Sequence, residues 1–463
     1  MPMMRTLYSL ATVLAQPLLR RKLRRRGAAE PGYLQAVPER FGQYDPRVRK
    51  AAGLARRGPL VWVHAVSLGE TRAAAPLVAR LRRQLPAMRL LLTHGTATGR
   101  AEGRSLLQDG DIQVWQPWDT PAATRKFIQQ FRPDVGVLME TEVWPNLMAA
   151  CTAEDIPVVL ANARMSAASL QRARRLAWLA RPAYGALAAA LPQTNEDAQH
   201  LKALGAPVRA VLGNLKYDAD PDPALLAAGR RLKSQSRKPI VVFASSREGE
   251  EGELFKWLRP AVAGRDATTS GVELAHDALH AVQWLVVPRH PQRFQSVAEL
   301  AQIQHLRVSE RSTWGREPDH LVLPAEADRP EVWIGNSLGE MALYYGMADL
   351  ALLGGSFKPL GGQNLIEAIA CGCPVLMGPS TFNFEQAARE AQSRGAALRV
   401  ANLGEAVQRA AALATDAPRM QRLRQAGANF SASYRGAAEA TAQAIADVLA
   451  RRGATGGGAP TQW

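Results

Sequence analysis

The sequence predicts an α/β protein with two doubly wound domains, each built on a parallel sheet, that face a central cleft. Short apolar runs rich in Val, Leu and Ile, such as residues 60–66 and 240–244, alternate with segments whose apolar residues recur at helical spacing. Glycine and polar residues follow these runs, as is typical of the carboxyl ends of strands in open α/β sheets. The length of 463 residues also exceeds one ordinary domain, so we expect two.

Glu70 follows the first predicted strand, in the sequence Ser67-Leu-Gly-Glu70, and lies close to the start of a helix. A carboxylate there is stabilised by the helix dipole, so capping explains its presence. Loops at strand ends are also where such sheets place their chemistry, so a general base is the alternative. The position of Glu70 alone leaves both interpretations open. Further strands of this half are predicted at 88–93, 112–115, 135–139, 157–160 and 208–212, and one or two helices at 170–187.

Two carboxylates, Glu140 and Glu142, come directly after the strand predicted at 135–139, and a Trp-Pro pair follows them. One of these acids is expected to cap the next helix, and the other requires a different explanation. Lys216 follows the strand predicted at 208–212, within the sequence Gly-Asn-Leu-Lys-Tyr-Asp.

The second half is organised around residues 350–384, which predict strand, glycine loop, helix and strand in succession. The pair Gly354-Gly355 ends an apolar strand, and the pair Gly361-Gly362 is predicted to open a helix. Glycines let a ligand approach the backbone, and the free N–H groups of a helix start favour anions, so nucleotide binding is expected here. A tight turn in an α/β core is the alternative. Further strands are predicted at 240–244, 284–287 and 332–334, an irregular insertion at 264–283 and a last helix at 435–451.

These patterns divide the chain into five segments. A stretch rich in Asp, Pro, Arg, Lys and Ser separates the halves and indicates a linker. The Gly-rich end of the chain is expected to be disordered. The predicted boundaries are 1–30 for an apolar and basic N-terminal segment, 31–218 for the first domain, 219–238 for the linker, 239–452 for the second domain and 453–463 for the tail.

The net charge of +16 and a pI near 10.3 indicate a polyanionic partner. Residues 20–26 form a basic block directly after the apolar stretch 6–19, which is shorter than the roughly 20 residues needed to span a bilayer. Because the charges follow the apolar stretch, a secretory signal peptide is not expected. An apolar helix with a basic flank is typical of a segment that lies in, or dips into, an anionic membrane surface. The alternative is a helix packed on the domain with a solvated basic end.

Cofactor and metal motifs are not found in the sequence. Cys151, Cys371 and Cys373 are scattered, which argues for a reducing compartment and against a disulfide framework. The C-x-C pair has no second pair or nearby histidine, so buried cysteines are expected and a metal site is not. The absence of a Walker A loop and of a strand-linked G-x-G-x-x-G argues against ATP hydrolysis and NAD chemistry. The residues alone therefore predict a two-domain enzyme that acts on an activated, anionic donor without a cofactor.

Six motifs in a fixed order add a family resemblance: HAVSLGE, LMETEVWPNL, GNLKYD, VPRHPQRF, GGSFKPLGGQNLIEA and GPSTFNF. Together they resemble the 3-deoxy-D-manno-octulosonic acid (Kdo) transferases of Gram-negative lipopolysaccharide synthesis, from about residue 33 to residue 384. The resemblance implies the GT-B architecture of two Rossmann-like domains. It also implies transfer of Kdo from CMP-Kdo to a hydroxyl of a lipid A precursor, lipid IVA, with inversion and without metal. The expected location is the cytoplasmic face of the inner membrane, with no nucleic acid partner.

The same resemblance implies roles for individual residues. Glu70 matches the general base of the family, and Glu140 and Lys216 match residues that support the transition state. The helix opening near Gly362 would direct its N–H groups at the phosphate, and Glu367 would accept hydrogen bonds from the ribose. The matches to the CMP-binding segments are Pro288, Arg289, Leu338, Gly339, Glu340, Asn364, Leu365, Ile366 and Glu367.

Three positions depart from the family pattern, because Arg247, Gln363 and Ser380 stand where histidines are common. The details of the donor site are therefore open, whereas the acidic and basic motif residues are intact. Two alternatives remain beside the leading hypothesis. One is another GT-B sugar-nucleotide enzyme, such as a UDP-sugar transferase or epimerase, and the other is a non-enzymatic protein that binds polyanions or membranes.

Overall fold

The computed structural model of the protein describes residues 2–53, 58–218, 221–259, 278–315, 317–324 and 332–456. The chain folds into two compact units. Unit 1 contains Met1–Asp218 and Tyr434–Trp463, and unit 2 contains Ala219–Ser433. The predicted pair of α/β domains is confirmed, although their boundaries differ from those expected.

Unit 1 is built on a six-stranded parallel sheet with the order β3-β2-β1-β4-β5-β6. Its strands form where the sequence places apolar, β-branched runs, because both faces of the sheet are covered. On one face, Trp62 packs edge-on against Phe127, with ring centroids 5.0 Å apart. The strands are β1 Leu60–His64, β2 Arg89–His94, β3 Ile112–Trp115, β4 Val135–Met139, β5 Val158–Ala163 and β6 Ala189–Pro192.

The helices of unit 1 begin at hydroxyl-bearing residues in several places. The side chains of Ser67, Thr96, Thr120, Ser166 and Thr194 each accept a backbone N–H in the first turn of the helix that follows. These caps fix where the chain leaves each loop at the carboxyl edge of the sheet. The helices are α1 Pro2–Leu14, α2 Gln16–Ala29, α3 Pro46–Ala52, α4 Leu68–Gln84, α5 Ala97–Gly103, α6 Pro121–Phe131, α7 Pro145–Ala153, α8 Ala167–Arg175, α9 Ala177–Gly185 and α10 Asn195–Ala203.

Unit 2 is built on a seven-stranded parallel sheet with the order β13-β12-β11-β7-β8-β10-β9. Its strands are β7 Ile240–Ser246, β8 Gln283–Pro288, β9 Val308–Glu310, β10 Val332–Ile334, β11 Leu350–Leu353, β12 Val375–Met377 and β13 Ala397–Arg399. Its helices are α11 Pro223–Ser234, α12 Glu250–Leu258, α13 Phe294–Ile303, α14 Met341–Met347, α15 Leu365–Ala370, α16 Glu385–Ser393, α17 Leu403–Ala414 and α18 Ala417–Ala432. The edge strands β9 and β13, of three residues each, are additions to the predicted set.

The predicted linker at 219–238 is wrong over most of its length, because α11 occupies it. Asp222 accepts the N–H groups of Ala224 and Leu225, and Pro223 stands at the first helical position. The Asp and Pro that indicated a linker are therefore a helix start. The helix packs on α14 at Gly229 and Gly346, where a Cβ on either residue would collide with backbone of the other helix.

The last helix, α19 (Ala437–Gly456), belongs to unit 1, whereas the sequence placed it in the second domain. It packs on α4, and its buried residues Ala438, Ala442 and Ile445 join the core formed by one face of the first sheet. The helix extends to Gly456, so the predicted tail begins later than residue 453. Residues 457–463 lie outside the described part of the chain.

Two smaller predictions also change. The strand predicted at 208–212 is reduced to one bridge between Val208 and Ala190. Only isolated hydrogen bonds join this segment to β6, such as the bond from Leu212 N–H to the Pro192 carbonyl (3.1 Å). Most of the predicted insertion at 264–283 lies outside the described residues. All three cysteines are buried, as predicted.

Candidate active site

The first sheet places Glu70 and Glu140 at the point where its strand order reverses. The chain runs outward from β1 to β3 and then returns to the other side of β1 with β4, so the loops after β1 and β4 are neighbours. Ligands of open α/β sheets bind at such a point, outside the carboxyl ends of the strands. The structure thus brings together two site residues that lie 70 positions apart in sequence.

The carboxyl group of Glu70 caps the start of α4, and its pKa is raised above the ordinary value. The Ser67 hydroxyl donates to its Oε1 atom (3.0 Å) and the Val66 N–H donates to its Oε2 atom (2.9 Å). The pKa of Glu70 is raised to about 7, chiefly by burial and also by nearby Glu140 and Glu142, against the lowering effect of the Val66 and Ser67 hydrogen bonds. The two interpretations left open by the sequence are therefore compatible, because a carboxyl group that titrates near neutrality suits proton transfer.

Glu140 adopts a left-handed backbone conformation, with φ of 57°. Its N–H donates to the Ala161 carbonyl (3.0 Å), and its own carbonyl accepts from Arg164 N–H (3.1 Å). Such a conformation is costly for a residue with a Cβ atom and is typical of functional sites where surrounding bonds impose it. The side chain thereby reaches Lys216, whose Nζ atom lies 3.0 Å from Oε1 of Glu140.

The turn that carries Lys216 is held by two asparagine side chains. Asn162 Oδ1 accepts the N–H of Leu215 (3.0 Å), and Asn214 Oδ1 accepts the N–H of Lys216 (2.9 Å). Asn162 itself has φ of 52°, which asparagine tolerates better than most residues. Sequence patterns alone predicted no role for Asn162. Its position directly after a predicted strand was the available signal.

Glu142 has a different role from the cap that the sequence suggested for one of the two acids. It accepts a hydrogen bond from the Trp144 indole (2.8 Å), and burial raises its pKa. The adjacent His64 is buried, which lowers its pKa to about 3, so the 4.0 Å contact between these side chains is not an ion pair at neutral pH. The start of α7 is capped by Asp119, which accepts the N–H groups of Asn146 (3.1 Å) and Leu147 (2.8 Å).

The first helix is anchored to this region. The Tyr8 hydroxyl donates to Asp119 (2.9 Å), and the Ser9 hydroxyl donates to Asn146 Oδ1 (2.8 Å). Burial raises the pKa of Asp119, and the bonds from Asn146, Tyr8 and Leu147 oppose that effect. Helix α1 is therefore part of unit 1, in contact with α7 and α9.

Large apolar side chains are exposed along α1, α2 and α9, and we call this set the apolar surface of unit 1. Neighbouring basic residues include the block at 20–26 and the last turn of α8. Across the described residues, every helix is too short or too polar to span a bilayer. The members of the apolar surface are Leu7, Leu10, Val13, Leu14, Leu18, Leu176 and Trp178.

In unit 2 the strand order reverses at β7 and β11, and Glu250 joins the loops that follow these strands. Its carboxylate accepts the N–H groups of Arg247 (2.9 Å), Gly355 (2.8 Å) and Phe357 (3.2 Å). Burial raises the pKa of Glu250, and the three N–H groups oppose that effect. A carboxylate of the protein thus occupies N–H groups of the glycine loop that the sequence assigned to an anionic ligand.

The second glycine pair forms a turn, and the helix starts later than predicted. Gly361 and Gly362 have φ of 84° and 70°, and α15 begins at Leu365. The N–H of Gly361 donates to the Ser380 hydroxyl (3.0 Å) and that of Gly362 to the Gly355 carbonyl (2.9 Å). The glycine pair thus precedes the helix instead of opening it, and the N–H groups of Gly361 and Gly362 are used within the turn.

Arg289 and Glu367 lie close together near the carboxyl end of β8. Pro288 ends that strand, and the N–H of Arg289 donates to the Ser246 carbonyl (3.0 Å). Burial raises the pKa of Glu367, and the charge of Arg289 lowers it. Asn364 caps α15 by accepting the Ile366 N–H (3.1 Å), so its Oδ1 atom is already engaged.

The segment 338–340 presents a backbone turn while its carboxylate points inward. Glu340 pairs with the buried Arg311 (2.8 Å) and accepts from the Ser337 hydroxyl. Gly339 has φ of 78°, and Leu338 is 72% exposed. Any contact of this segment with a ligand thus involves the backbone and Leu338 more directly than Glu340.

Groups of three or more His, Cys, Asp or Glu side chains arranged as a metal site are absent from the described ranges. Metal independence of the reaction stays a prediction.

Comparison with solved structures defines the class of protein. UDP-GlcNAc 2-epimerase from Neisseria meningitidis aligns with a TM-score of 0.51 and 14% identity, covering 84% of this chain and 100% of that chain. MurG from Acinetobacter baumannii aligns with a TM-score of 0.50 and 13% identity, covering 84% and 99%. At these identities the likeness concerns the fold alone, which is the two-domain α/β fold of GT-B glycosyltransferases.

Sequence comparison then identifies the family. The family model for 3-deoxy-D-manno-octulosonic acid transferase matches residues 35–219. The transferase of that name from Bordetella pertussis is 41% identical, over 96% of this chain and 99% of its own length. The one from Haemophilus influenzae is 31% identical, over 94% and 96%. The chain belongs to the Kdo transferase family and is a glycosyltransferase of lipopolysaccharide biosynthesis, so the predicted resemblance and enzyme class are confirmed.

Proposed function

We propose that this Kdo transferase moves Kdo from CMP-Kdo to a hydroxyl of a lipid A precursor, lipid IVA, with inversion and without a metal ion. The observation that carries the proposal is the half-buried carboxyl of Glu70, anchored by Val66 and Ser67 and with a pKa of about 7. A general base is most effective when its pKa lies near the working pH, and a free glutamate is too weak a base for this task.

The reaction follows from this base. Glu70 takes the proton of the acceptor hydroxyl while that oxygen forms a bond to the anomeric carbon of Kdo. The bond between that carbon and the phosphate oxygen breaks, and its electrons leave with CMP. A single displacement of this kind inverts the anomeric centre, and it requires no covalent intermediate with the protein.

Lys216 and Glu140 support the transition state in this proposal. The donor carries a carboxylate and a phosphate, and negative charge grows on the phosphate oxygen as the bond breaks. A preorganised ammonium group stabilises such charge. Glu140 holds Lys216 at 3.0 Å, which fixes the position of the ammonium group.

Unit 2 binds the CMP part of the donor in this proposal. Its contributions are the segments 288–289, 338–340 and 364–367. Glu367 accepts hydrogen bonds from the ribose hydroxyls, because its carboxylate lies beside Arg289 and its side chain is not consumed as a cap. The turn at Leu338 and Gly339 offers backbone groups and an exposed apolar side chain to the base.

The acceptor is reached at the cytoplasmic face of the inner membrane, which the protein contacts through the apolar surface of unit 1. Exposed leucines along α1 and α2 insert at the level of the headgroups, and the arginines at 20–26 and at the end of α8 bind anionic lipid. Tyr8 and Ser9 fix α1 to the same unit that carries Glu70, so membrane contact and catalysis involve one compact unit.

The experiment is a transfer assay with the purified full chain, CMP-Kdo and lipid IVA, with products identified by mass spectrometry. Glu70→Gln should lower kcat by about 100- to 10,000-fold, which is the usual contribution of a general base. The matched control is Glu154→Gln, which alters a surface pair with Arg132 (3.8 Å) and should transfer normally. Normal transfer by Glu70→Gln would show that Glu70 is not the general base. Strong inhibition by EDTA would contradict metal independence. Transfer from a UDP-sugar in place of CMP-Kdo would contradict the proposed donor.

A further inference from the structure

Arg247 lies against the glycine loop of unit 2, directly after β7. Its N–H and the N–H of Gly355 donate to the same oxygen of Glu250, at 2.9 Å and 2.8 Å. Its Cγ atom lies 3.4 Å from the position that a Cβ atom would take on Gly355, whose φ is 70°. The stem of Arg247 therefore lies in van der Waals range of the loop at Gly355, where the positive φ favours glycine.

The guanidinium of Arg247 makes no ion pair within the described residues, and this distinguishes it from its neighbour Arg293. Arg293 is held by both oxygens of the buried Glu251, at 2.8 Å and 3.2 Å. Arg247 is only partly exposed, so its charge is partly removed from water without a compensating carboxylate. A cation in that situation is suited to an anion that arrives with a ligand.

The surroundings of Arg247 are positively charged. His290 follows β8, and its pKa is lowered by loss of solvation and by the charges of Arg247, Arg289 and Arg293. Three guanidinium groups therefore act on one imidazole at the carboxyl ends of β7 and β8. This is the edge where open α/β sheets bind ligands.

Several backbone donors of the glycine loop are already used within the protein. The N–H groups of Gly355 and Phe357 are taken by Glu250, and those of Gly361 and Gly362 by Ser380 and the Gly355 carbonyl. Since these four N–H groups are engaged, side chains beside the loop are suited to meet an anionic group of a donor bound here. Gln363 is one of them, because its Nε2 atom also lies 3.4 Å from the Cβ position of Gly355.

We propose that Arg247 binds the phosphate of the CMP group through its guanidinium, together with Gln363, which also lies against Gly355. This proposal rests on the proposed function, because it assumes a CMP-linked donor. Arginine suits the task, since its planar guanidinium offers two parallel N–H donors to two phosphate oxygens. The positive φ of Gly355 then allows the loop to turn beside the arginine stem.

The test is isothermal titration calorimetry of CMP and of cytidine with the full chain. Arg247→Ala should weaken CMP binding about tenfold or more, the loss expected for a charge-assisted hydrogen bond, and should leave cytidine binding unchanged. Arg247→Lys should retain part of the affinity for CMP, because it keeps the charge. The matched control Arg389→Ala removes an exposed arginine of the same unit, 3.9 Å from Glu385, and should bind as the unaltered protein does.

The outcomes distinguish this proposal from the proposed function on which it rests. Unchanged CMP affinity in Arg247→Ala, or an equal loss of affinity for CMP and cytidine, would overturn the proposed phosphate contact. The proposal that CMP-Kdo is the donor would be unaffected. A raised KM for CMP-Kdo with unchanged CMP affinity would assign Arg247 to the sugar carboxylate and also overturn the phosphate contact. Failure of the unaltered protein to bind CMP would overturn the proposed donor and this assignment together. A thermal unfolding scan of each variant confirms that the binding change is not a folding defect.

Discussion

The ammonium group of Lys216 lies 3.0 Å from the carboxylate of Glu140, and this pair joins two loops separated by 76 positions in the chain. Glu140 reaches it from a left-handed backbone conformation, and Lys216 reaches it from a turn held by two asparagines. The side chains are only partly buried, so the pair itself adds little to stability. Its value is positional, because it fixes a cation at Glu140, whose charge acts on the group that we propose as the base.

Replacing Lys216 by Met should lower kcat for Kdo transfer by about 100- to 1,000-fold, the loss typical of one preorganised electrostatic group. The thermal unfolding temperature should change little, since the side chain is partly exposed. Steady-state kinetics with CMP-Kdo and lipid IVA measure the effect. Lys202→Met, which removes an exposed lysine in the last turn of α10, is the matched control. Equal kcat values for both variants would show that Lys216 does not contribute to catalysis.

The pH dependence of transfer should show an acidic limb near pH 7, because Glu70 must be ionised to accept a proton and its pKa is about 7. Activity should rise with pH through this range. Glu140→Gln should move the limb to lower pH, since Glu140 raises the pKa of Glu70. Profiles of kcat/KM from about pH 5.5 to about pH 8.5, roughly 1.5 units either side of the limb, measure both effects. A profile in Glu140→Gln that shifts to higher pH would contradict the assignment.

The pH dependence of the free energy of unfolding should also depend on the carboxyl group of Glu70. The folded pKa of about 7 lies above the ordinary value of 4.5, so the contribution of Glu70 to the free energy of unfolding is present below 4.5 and is lost as pH rises through about 7. Glu70→Gln has no such group. The unfolding temperature of Glu70→Gln minus that of the unaltered protein should therefore increase from acidic to alkaline pH. A constant difference would show that the pKa of Glu70 is not raised.

Much of the fold could be predicted because parallel strands buried on both faces leave continuous apolar runs in the sequence. Residues 60–66, 240–244 and 350–353 carried that signal, and each forms a strand. The linker was mispredicted because Asp222 and Pro223 are used equally by turns and by helix starts. The placement of α19 was missed because its partner, α4, lies more than 350 positions away, and local patterns contain no information about such contacts.

The site shows a similar division. Glu70, Glu140 and Lys216 were predicted from their motifs, and the structure places the first two at one reversal of strand order and the third beside Glu140. Asn162 and Glu250 were missed because their contribution is a hydrogen bond to backbone distant in sequence. The glycines of the loop do adopt backbone conformations that favour glycine. The N–H groups of Gly355, Gly361 and Gly362, however, are hydrogen-bonded within the protein. Only tertiary contacts show which polar groups remain for a ligand.

Asp218 should link stability and catalysis in unit 1. It accepts the N–H groups of Gly436 (3.1 Å) and Ala438 (2.6 Å), and Tyr217 packs against Tyr434, so the start of α19 holds the turn that carries Lys216. Asp218→Ala should lower the free energy of unfolding by about 1 kcal/mol, as the loss of a helix cap does, and should also lower kcat. Asp416→Ala removes the cap of α18, an accepted N–H from Arg419 (3.0 Å), and should lower stability without the loss of kcat. Urea unfolding and transfer kinetics compare the two, and unaltered kcat in Asp218→Ala would contradict the link.

Membrane binding should depend on the exposed leucines of α1 and α2. Deleting the first helices would be an ambiguous test, because Tyr8 and Ser9 are bonded to unit 1 and their loss would expose Asp119 and Asn146. Leu14→Glu together with Leu18→Glu avoids this, since these side chains are 68% and 69% exposed and their replacement should leave the unfolding temperature unchanged.

Sedimentation with vesicles that contain anionic lipid should recover much less of this double variant than of the unaltered protein. The reason is that a charged group must leave water to enter the interface, while the lost leucines no longer contribute apolar burial. Ile303→Glu is the matched control, because Ile303 is also 69% exposed but lies at the end of α13 in unit 2. Binding should also weaken with added salt, because the basic block at 20–26 contributes through screened charges. Equal recovery of both variants would show that the apolar surface of unit 1 does not contact the membrane.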